Sequence, residues 1–409
     1  MPEFLELLPP TQALELLLAN LALNPQPEML PTLQALGRVT AAPVYAPAPL
    51  PPFARSTVDG YAVRAVDTFG ASDSLPAYLQ LVGEVPMGRP AGLALQPGQC
   101  ALIHTGGMLP EGASAVVMVE NTQNARPDEV EILRAAAVGE NVLLAGEDVQ
   151  TGQLVIPAGA RLRPPEIGGL MALGILELAV ARRPRVGILS SGDEVVDPTV
   201  QPQPGQVRDV NTYSLSALVE QAGALPSRCG IVPDREEAMR IQARQALQAN
   251  ELLVITAGSS ASTRDLTSQV IQTLGQPGVL VHGVNVRPGK PTILAACDGK
   301  AVIGLPGNPV SALVIAGLFV VPVIERLLGQ APRPQPGLVA RLSLNLASQA
   351  GREDWVAVRL EPSPQGWLAE PVFGKSNLIF TLARADGLVR IPPAANGLNA
   401  GEMVEVTLL

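Results

Sequence analysis

The chain has 409 residues, of which 47% are hydrophobic and 16% are charged. Because a single domain usually holds about 100 to 200 residues, several domains are expected, and the high apolar content excludes a largely disordered chain. The net charge of −9 argues against a general nucleic-acid-binding surface, since phosphate backbones bind clustered Lys and Arg.

The cysteines and the apolar runs indicate the compartment of the protein. Cys100, Cys229 and Cys297 lie far apart and form no CxxC pair, so neither a disulfide framework nor a zinc ribbon is indicated, and a reducing cytoplasm fits. The acidic N-terminus lacks the basic stretch of a signal peptide, so no export is predicted. The longest apolar run, 310–324, has about 15 residues and contains Pro322, whereas a bilayer span needs about 18 to 20. The run therefore predicts a buried helix and no membrane association.

The first 145 residues are predicted to change from helical to β-type structure. Residues 10–22 carry Leu and Ala at helical spacing, and the segment after them is interpreted as a second short helix entered through prolines. The proline-rich stretch 41–53 cannot continue a helix and marks a boundary. Short β-type runs separated by Gly and Pro turns then predict a small β-rich domain.

The rest of the chain is predicted to contain a helical return segment, an α/β domain and a β domain. A turn-rich stretch meets a helix after Pro164 and Pro165, with Glu166 in its first turn, and is expected to rejoin the first domain. From Arg183 to Gly329 strands alternate with helices, which predicts a parallel sheet with helices on both faces. After a second proline-rich linker, short strands predict a β-barrel or sandwich.

The predicted fold class is therefore multidomain α/β plus β. It combines a central doubly wound parallel-sheet domain with a small β-rich inserted domain, an N-terminal domain and a C-terminal β-barrel. The predicted limits are 1–50 with 146–180 for the N-terminal domain, 51–145 for the inserted domain, 181–329 for the α/β domain and 330–409 for the barrel.

Three segments of the α/β domain place small, hydroxyl and charged residues directly after strands. Ligands of open α/β sheets collect at the carboxyl ends of the strands, beside helix N-termini with free N–H groups. Small residues let the backbone approach a phosphate, Ser donates hydrogen bonds, Lys adds positive charge and carboxylates can hold Mg²⁺. Together they predict a nucleotide or phosphate-ester site. The segments are Ser190 to Glu194, Gly258 to Asp265, and Lys290 with the turn from Pro306 to Pro309.

Each segment also has a purely structural interpretation. A Gly-Asp-Glu turn after a strand is often a helix entry with favourable acids, Ser-rich turns are often caps, and PGNP is often a rigid turn. Lysine occurs only at Lys290, Lys300 and Lys375, so a lysine within a Gly/Pro motif is a candidate for inspection. His104 and His282 are the only histidines, which excludes a His-rich metal site, and His104 is interpreted as a packed loop residue.

Eight segments spread over the chain form an ordered set of motifs. They are PPFARSTVDGYAV (51–63), HTGGMLPEGASAVVMVE (104–120), GEDVQTGQLVIPAGARL (146–162), SSGDEVV (190–196), GQVRDVN (205–211), ITAGSSASTRD (255–265), VRPGKP (286–291) and GLPGNPVSA (304–312). In this order they resemble the molybdopterin molybdenumtransferase family, of the MoeA or gephyrin E-domain type. The resemblance implies an elongated homodimer of four-domain subunits. The molybdopterin-binding α/β domain of one subunit would form the site with the β-rich domain of the other.

The resemblance also implies a reaction and its participants. The family takes adenylylated molybdopterin and molybdate, uses Mg²⁺, and yields molybdenum cofactor plus AMP in the last step of cofactor biosynthesis. Breaking a phosphoanhydride-type bond requires a divalent ion to neutralise phosphate oxygens and carboxylates to hold that ion. Further implied partners are the pterin adenylyltransferase and the molybdoenzyme apoproteins.

Roles are implied for individual residues of the matched motifs. Glu194 and Asp265 belong to the region of Mg²⁺ and phosphate, and Asp59 matches an acid that crosses the dimer interface into the partner's cleft. Thr105 and Asp148 are expected to do likewise, and Asp59, Thr105, Glu194 and Asp265 are the predicted catalytic residues. For Asp234, an ordinary helix N-cap is the alternative. The predicted substrate-binding residues are Asp148, Ser191, Gly192, Asp234, Gly258, Ser260 and, on the molybdate and phosphate side, Arg287, Lys290, Pro306 and Pro309.

The GGVSVG loop that is usual in the family is altered here. Residues 257–262 have the sequence AGSSAS, and a Ser that replaces a glycine of positive φ would strain the loop or change its path. One alternative is therefore a branch of the family that handles tungstate or a modified pterin nucleotide. A second is a pterin adenylyltransferase, although the matches over 51–162 favour the metal-inserting type. A third is a non-catalytic scaffold that binds molybdopterin.

Overall fold

The computed structural model describes residues 7–257, 261–332 and 337–409, without the side chains of residue 125 and residues 261–265. Its first elements are α1 (Pro10–Ala19), β1 (Pro27–Pro31) and β2 (Val44–Tyr45). The helix predicted from residue 10 is confirmed. Its Ala13 and Leu17 are fully buried in the same cluster as the strands of the central sheet, so α1 contributes to the α/β core.

A mixed sheet forms the inserted β-rich unit, as predicted. Its strands are β3 (Arg55–Ser56), β4 (Gly60–Val63), β5 (Ala77–Glu84), β6 (Gln99–Ile103), β7 (Ala115–Met118), β8 (Thr122–Arg126), β9 (Glu129–Ile132) and β10 (Val142–Leu143). Six of them lie in the order β7-β4-β6-β5-β9-β8. Neighbouring residues of β4 point to opposite faces, so Tyr61 and Val63 belong to one apolar cluster and Ala62 to another. Both faces of the sheet are therefore covered.

The chain then returns to its N-terminal part. The next elements are β11 (Leu154–Ile156), α2 (Pro164–Ala172) and β12 (Glu177–Ala181). β11 pairs antiparallel with β2, and β12 pairs with β1. The helix predicted after Pro164 is confirmed, but the second short helix expected after residue 22 is wrong. That segment forms β1 and a 3₁₀ turn (Thr32–Gln34), because Pro27 and Pro31 lack the N–H groups that a helix interior requires.

A sheet with helices on both faces forms the α/β unit. Its elements are β13 (Arg185–Ser191), β14 (Val195–Val196), β15 (Val207–Arg208), α3 (Asn211–Ala222), β16 (Leu225–Val232), α4 (Glu236–Ala249), β17 (Leu252–Ala257), α5 (Ala261–Gln272), β18 (Pro277–His282), β19 (Val286–Arg287), β20 (Ile293–Cys297), β21 (Lys300–Pro306), α6 (Pro309–Ile315) and α7 (Val321–Leu327). The order is β16-β13-β17-β21-β20-β18. The predicted doubly wound sheet is confirmed, with one refinement: the first four strands are parallel, and β20 runs antiparallel to both of its neighbours, β21 and β18.

The apolar run after residue 309 forms one long helix, in which a π-helical turn (Ala316–Val320) joins α6 to α7. This helix, Pro309–Leu327, has 19 residues and a mean hydropathy of 2.1, so by length and composition it could cross a membrane. The expectation that it is too short is therefore wrong. The expected burial is confirmed, because Phe319 and Val323 are fully buried in the core of the α/β unit. Pro322 cannot donate to a carbonyl one turn back, which accounts for the π turn before it.

The C-terminal strands close into a five-stranded barrel, as predicted. The elements are β22 (Gly337–Leu342), β23 (Leu346–Ala347), β24 (Glu353–Ser363), β25 (Gly366–Pro371), α8 (Phe380–Ala383), β26 (Gly387–Ile391), β27 (Gly397–Leu398) and β28 (Met403–Leu408). The ring runs β24-β25-β22-β28-β26 and closes where β26 pairs with β24. β19 of the α/β unit adds to this sheet in parallel register, with Arg287 beside Asp354. The barrel therefore holds one of the segments predicted to form the site.

The limits predicted for the four domains stay a proposal. The separate apolar clusters of the β-rich unit, the N-terminal part and the barrel support them, whereas α1 packs with the α/β unit. Arg161 ties the N-terminal part to the α/β unit, because its guanidinium donates to the carbonyls of Gly37 at 3.3 Å and Ala222 at 2.8 Å.

Candidate active site

Three strands of the central sheet end side by side. In the register of β13, β17 and β21, Ser190 pairs with Thr256 and Ala257 pairs with Pro306, so the strand ends lie level, about 4.8 Å apart from strand to strand. Beneath this edge the Ser190 hydroxyl is hydrogen-bonded to the hydroxyls of Thr212, at 2.9 Å, and Thr256, at 3.0 Å. The strands that carry the predicted segments therefore share one edge, which is where open α/β sheets bind ligands.

The turn after β13, which we call the acidic turn (191–194), brings several predicted residues together. Gly192 has a φ of +151°, and a Cβ there would lie 2.9 Å from Glu194 Oε2, so the Glu194 side chain folds back over this glycine. The Ser191 hydroxyl donates to the Asp234 carboxylate, and the Asp234 N–H donates to Asp193 Oδ1 at 3.3 Å. Ser191, Gly192, Glu194 and Asp234 thus form one cluster of oxygen atoms and small residues.

Asp234 lies at the start of α4, next to the acidic turn. Arg235 occupies the N-cap position of α4, and the Arg235 side chain makes no capping hydrogen bond. The Asp234 carboxylate accepts the Ser191 hydroxyl of the acidic turn. Its position therefore supports a role in the site.

Asn211 and Asp209 were missed as candidate site residues, although both lie in the matched segment 205–211. Asn211 Nδ2 donates to the Gly307 carbonyl at 2.8 Å, which links the start of α3 to the Pro306–Pro309 turn. Its Oδ1 is buried and has no hydrogen-bond partner among the described residues. Asp209 accepts the Thr212 N–H at 3.0 Å and so caps α3. An unsatisfied buried acceptor at this edge is a candidate ligand contact.

A cleft of 1140 Å³ opens between the α/β unit and the barrel. The predicted residues Arg287, Lys290 and Pro306 line it. Pro309 begins α6 between Asn308 and Val310, which also line it. Sequence reasoning assigned no role to the residues that the barrel contributes, because their place depends on how the barrel docks. These include Arg352, Asp354 and Lys375.

The lining of this cleft carries an excess of positive charge. Among the described residues that line it, the one carboxylate is that of Asp354, which is 3% exposed and accepts two hydrogen bonds from Arg352, at 2.7 and 3.0 Å. Arg287 Nη1 lies 3.8 Å from the same carboxylate. Lys290 and Lys375 have no ion-pair partner in the described parts of the chain. The cleft is therefore suited to bind anions.

The turn that presents Lys290 depends on a glycine. Gly289 has a φ of +113°, and a Cβ there would lie 2.2 Å from Ile315 Cγ1 of α6. The Gly289 carbonyl accepts the Thr292 hydroxyl at 2.6 Å, and the Lys290 carbonyl accepts the Val284 N–H at 2.9 Å. Close packing against α6 thus sets the position of Lys290.

We expect Gly289→Ala to lower the free energy of unfolding by about 3 kcal/mol, because a methyl group would overlap Ile315 in a conformation that L-residues disfavour. Urea unfolding of the variant measures this loss. The control is Gly317→Ala, since a Cβ at this helical glycine meets no atom within 4 Å and should leave stability unchanged or slightly raised. Equal stability of the two variants would contradict the packing described here.

A second polar cluster lies on the β-rich unit. Asp59 Oδ1 accepts the Thr105 N–H at 2.8 Å and the Thr105 hydroxyl at 3.2 Å, so the predicted pair does come together. The Thr105 N–H, helped by the Thr105 hydroxyl and His104, holds the pKa of the Asp59 carboxyl below its usual value. His104 is not the packed residue expected: its ring is 43% exposed, 3.0 Å from Glu84 and 3.6 Å from Asp59.

These two clusters are separate within one chain. No hydrogen bond or ion pair of the described residues joins residues 51–145 to residues 181–329. The Asp59 side chain is 63% exposed. Asp148 is exposed as well, and among the described residues its one hydrogen bond is from its backbone N–H to the Leu50 carbonyl, at 3.1 Å. The structure therefore brings Asp59 to Thr105 but not to Asp148 or Glu194.

Some predicted site residues lie outside the described residues. They are Gly258 and Ser260, together with the side chain of Asp265, whose backbone belongs to α5. The loop 257–262, which departs from the GGVSVG sequence usual in the family, falls in the same region. Within the described residues, no group of three His, Cys, Asp or Glu side chains is arranged to hold a metal ion. Any metal at the acidic turn would thus need ligands from elsewhere.

Three family models match the chain one after another. They are the MoeA N-terminal region (domain I and II) over residues 8–174, the "Probable molybdopterin binding domain" over residues 187–326 and the MoeA C-terminal region (domain IV) over residues 339–409. The matches follow the order of the structural units described above and cover most of the chain.

Named relatives are similar over nearly the full length. The molybdopterin molybdenumtransferase of Nostoc sp. is 35% identical over 381 residues, which cover 92% of this chain and 87% of that protein. The protein of the same name from Bacillus subtilis is 31% identical over 380 residues, covering 92% and 88%. A crystal structure of the molybdopterin biosynthesis MoeA protein from Pyrococcus horikoshii is 30% identical, covers 99% of this chain and 100% of that chain, and has a TM-score of 0.87. Another crystal structure of a molybdopterin biosynthesis MoeA protein from Pyrococcus horikoshii is 37% identical, covers 98% of this chain and 99% of that chain, and has a TM-score of 0.81.

Proposed function

Because the chain belongs to the MoeA family of enzymes in molybdenum cofactor biosynthesis, we propose that it is a molybdopterin molybdenumtransferase. In the proposed reaction, molybdate and adenylylated molybdopterin yield molybdenum cofactor and AMP, in the last step of that biosynthesis. The observation that carries the proposal is the edge of the central sheet, where the acidic turn follows β13 and where β21, two strands along, ends in the Pro306–Pro309 turn that borders a cleft lined with cations. Replacement of an adenylate by an oxometalate requires carboxylates that can hold a divalent ion and cations that can bind two anions.

The oxygen atoms at the acidic turn fit a magnesium ion. Mg²⁺ prefers oxygen ligands and is usually held by one or two carboxylates, with substrate phosphate oxygens and water completing its shell. Glu194 and Asp265 are the carboxylates that we propose hold it, and Gly192 leaves room for the Glu194 side chain. When bound there, the ion would neutralise the phosphate oxygens of the substrate.

We propose that residues of the cleft and of the central sheet's edge bind and orient the two reactants. Arg287 and Lys290 attract the oxyanion, because their charges exceed the one carboxylate of the cleft lining. Asp234 is an acceptor for N–H groups of the pterin. Pro306 and Pro309 make the turn that holds Asn308 rigid. The residues proposed to bind phosphate through N–H and hydroxyl groups are Ser191, Gly192, Gly258 and Ser260. No covalent nucleophile is required.

An exposed apolar patch on the N-terminal part supports a homodimer. Met29, Leu33, Leu36 and Leu176 are 62%, 74%, 59% and 64% exposed. The Thr32 N–H donates to the Leu176 carbonyl at 2.8 Å, so the patch is contiguous across β1 and β12. Monomeric proteins rarely expose apolar patches of large area. We propose that a second copy of the chain covers this patch.

The separation of the two polar clusters gives this dimer a role in the reaction. Asp59 and Thr105 point to solvent in one chain and contact nothing of the α/β unit among the described residues. The proposed site therefore combines the acidic turn of one subunit with Asp59, Thr105 and Asp148 of the other. The hydrogen bond from the Thr105 N–H holds the pKa of the Asp59 carboxyl below its usual value.

We also propose a location, a substrate supplier and acceptor proteins for this chain. A cytoplasmic location, the pterin adenylyltransferase as supplier of the substrate and molybdoenzyme apoproteins as acceptors all follow from the family. A preference for tungstate rests on the loop 257–262, which falls mainly outside the described residues. Matches to the N-terminal and C-terminal MoeA regions favour metal insertion over adenylyl transfer, because an adenylyltransferase needs only the α/β unit.

The function is tested by following AMP release. Purified protein is mixed with adenylylated molybdopterin and Mg²⁺, and molybdate or tungstate is then added. We expect AMP to appear only after the oxyanion is added. Binding of the pterin nucleotide without AMP release would instead identify a non-catalytic scaffold, and faster release with tungstate would identify the tungstate branch.

A further inference from the structure

His104 lies between the ends of two strands of the β-rich unit. It directly follows β6, which has β4 on one side and β5 on the other. Because β4 and β6 run antiparallel, Asp59, directly before β4, lies opposite His104. β5 runs parallel to β6, and its last residue is Glu84. The sheet therefore places one imidazole between two carboxylates.

The His104 ring contacts both of these carboxylates. His104 Nε2 lies 3.0 Å from Glu84 Oε1, and His104 Nδ1 lies 3.6 Å from Asp59 Oδ1. No other carboxylate of the described residues lies within ion-pair distance of the ring. The His104 carbonyl accepts the Gly107 N–H at 2.8 Å, and this tight turn holds the backbone that carries the ring. The strand ends and the turn thus fix where the ring lies.

All the contacts of the Asp59 carboxylate within the chain are made by one of its two oxygens. Oδ1 accepts the Thr105 N–H and the Thr105 hydroxyl, and Oδ1 is also the oxygen beside the His104 ring. No hydrogen bond or ion pair of the described residues involves Oδ2. The contacts on Oδ1 orient the carboxylate, and Oδ2 is left to face a partner.

The protonation state of His104 decides how its ring acts on Asp59. A neutral imidazole has one N–H group and one lone pair, whereas a protonated ring has an N–H on both nitrogens. When the neutral ring donates from Nε2 to Glu84, Nδ1 turns its lone pair toward the Asp59 carboxylate. Only the protonated ring attracts both carboxylates. Histidines titrate between about pH 5 and 8, so this attraction is present at the lower end of that range and is lost as pH rises.

We propose that His104 is a positioning residue for the reaction: its protonated ring, held by Glu84, keeps Asp59 oriented with Oδ2 toward the partner's half of the composite site. This inference rests on the composite site proposed above and names two residues that the proposal did not use. A small misplacement of a group that acts in a reaction can lower the rate severalfold. His104 would therefore make the reaction faster below neutral pH.

Rates of molybdate-dependent AMP release at saturating substrate, measured at about pH 6 and about pH 8, test this role. The ratio of the wild-type rate to the His104→Gln rate should be about five at the lower pH and about one at the higher pH, because the wild-type ring is charged only at the lower pH. His104→Arg keeps a positive charge at both pH values and should give similar rates at both. A wild-type to His104→Gln ratio that does not change with pH would show a merely structural role and would overturn the proposal.

The composition of the chain makes this pH dependence easy to assign. His104 and His282 are the only histidines, so His282→Gln is the matched control and should keep the pH dependence of the wild type. Burial raises the pKa of the Cys100 thiol to about 12 and that of the Cys297 thiol to about 11. Burial also raises the pKa of Cys229. Thermal unfolding midpoints at both pH values verify that each variant folds.

A second measurement does not depend on turnover. Selective ¹⁵N labelling of threonine reports the amide of Thr105, whose N–H donates to Asp59 Oδ1, and the signal that is missing in Thr105→Ser identifies it. The chemical shift of this amide should change between the two pH values in the wild type and in His282→Gln. It should stay constant in His104→Gln. A constant shift in the wild type would show that Asp59 does not respond to His104, which would overturn the proposal.

The two measurements separate this inference from the proposed function. If the wild type releases AMP but the ratio of rates does not change with pH, only the role of His104 fails. If the Thr105 amide follows the titration of His104 while the wild type never releases AMP from adenylylated molybdopterin, the positioning of Asp59 by His104 stands and the proposed function fails.

Discussion

Glu194→Gln is expected to lower the rate of molybdate-dependent AMP release at least about 100-fold at saturating substrate, because it removes one carboxylate charge beside the phosphate linkage. The side chain folds back over Gly192 at the end of β13, so its position is set by the backbone of the acidic turn. Because Glu194 is exposed, the free energy of unfolding should hardly change. Rates of AMP release and urea unfolding of the same preparation measure both quantities.

Glu220→Gln is the control for this substitution. Glu220 is an exposed carboxylate of α3 in the same structural unit, and its side chain has no hydrogen bond among the described residues. Its replacement should leave AMP release at the wild-type rate. A Glu194→Gln enzyme that keeps more than about a third of that rate would exclude a role for this carboxylate in the reaction.

Lys290→Gln is expected to raise the molybdate concentration for half-maximal AMP release about tenfold or more, because it removes a charge that faces the cleft without an ion-pair partner. Higher ionic strength should weaken molybdate binding in the wild type and do so less in the variant. Initial rates over a series of molybdate concentrations, at two salt concentrations, measure the effect.

Arg89→Gln supplies the matched loss of one positive charge at an exposed residue that does not line the cleft. It should leave the molybdate dependence unchanged. If Lys290→Gln altered only the dependence on adenylylated molybdopterin, Lys290 would bind the pterin nucleotide and the oxyanion would lie elsewhere.

The acidic turn could be predicted from sequence because it depends on local rules. A buried strand that ends in Ser190 and Ser191, followed by Gly192 and two acids, places these residues at the carboxyl edge of a parallel sheet wherever the strand lies. The same rule located the Pro306–Pro309 turn, and the structure brings the two segments to one edge, as the alternation of strands and helices predicts. Lys290 follows β19, which pairs with the barrel, and meets the Pro306–Pro309 turn in the lining of the cleft.

The lining of the cleft could not be predicted in this way. Asp354 meets Arg287 only because β19 adds to the sheet of the barrel, and nothing local to either residue indicates that pairing. The sequence likewise does not show that Asn211 Oδ1 lacks a hydrogen-bond partner among the described residues. This follows from the structure, in which Asn211 Nδ2 donates to the Gly307 carbonyl. Such features depend on how the domains dock, and the hydrophobic periodicity of the sequence does not predict docking.

Two errors have simple physical causes. The segment after residue 22 is interpreted from sequence as a short helix entered through prolines, but Pro27 and Pro31 favour an extended strand that pairs with β12. His104 was assigned to packing because a lone histidine lacks metal partners at ligand spacing. It lies instead between Asp59 and Glu84, and this contact joins residues that are far apart in sequence.

The central claim, that each site draws Glu194 from one subunit and Asp59 from the other, is tested by purified heterodimers. Asp59→Ala and Glu194→Ala homodimers should both be inactive. A heterodimer of one Asp59→Ala chain and one Glu194→Ala chain retains one intact composite site, so it should release AMP at about half the wild-type rate. A heterodimer of a wild-type chain with a chain carrying both substitutions should be inactive. The reverse pattern, with activity only in the second heterodimer, would show that both residues act within one chain and would contradict the composite site.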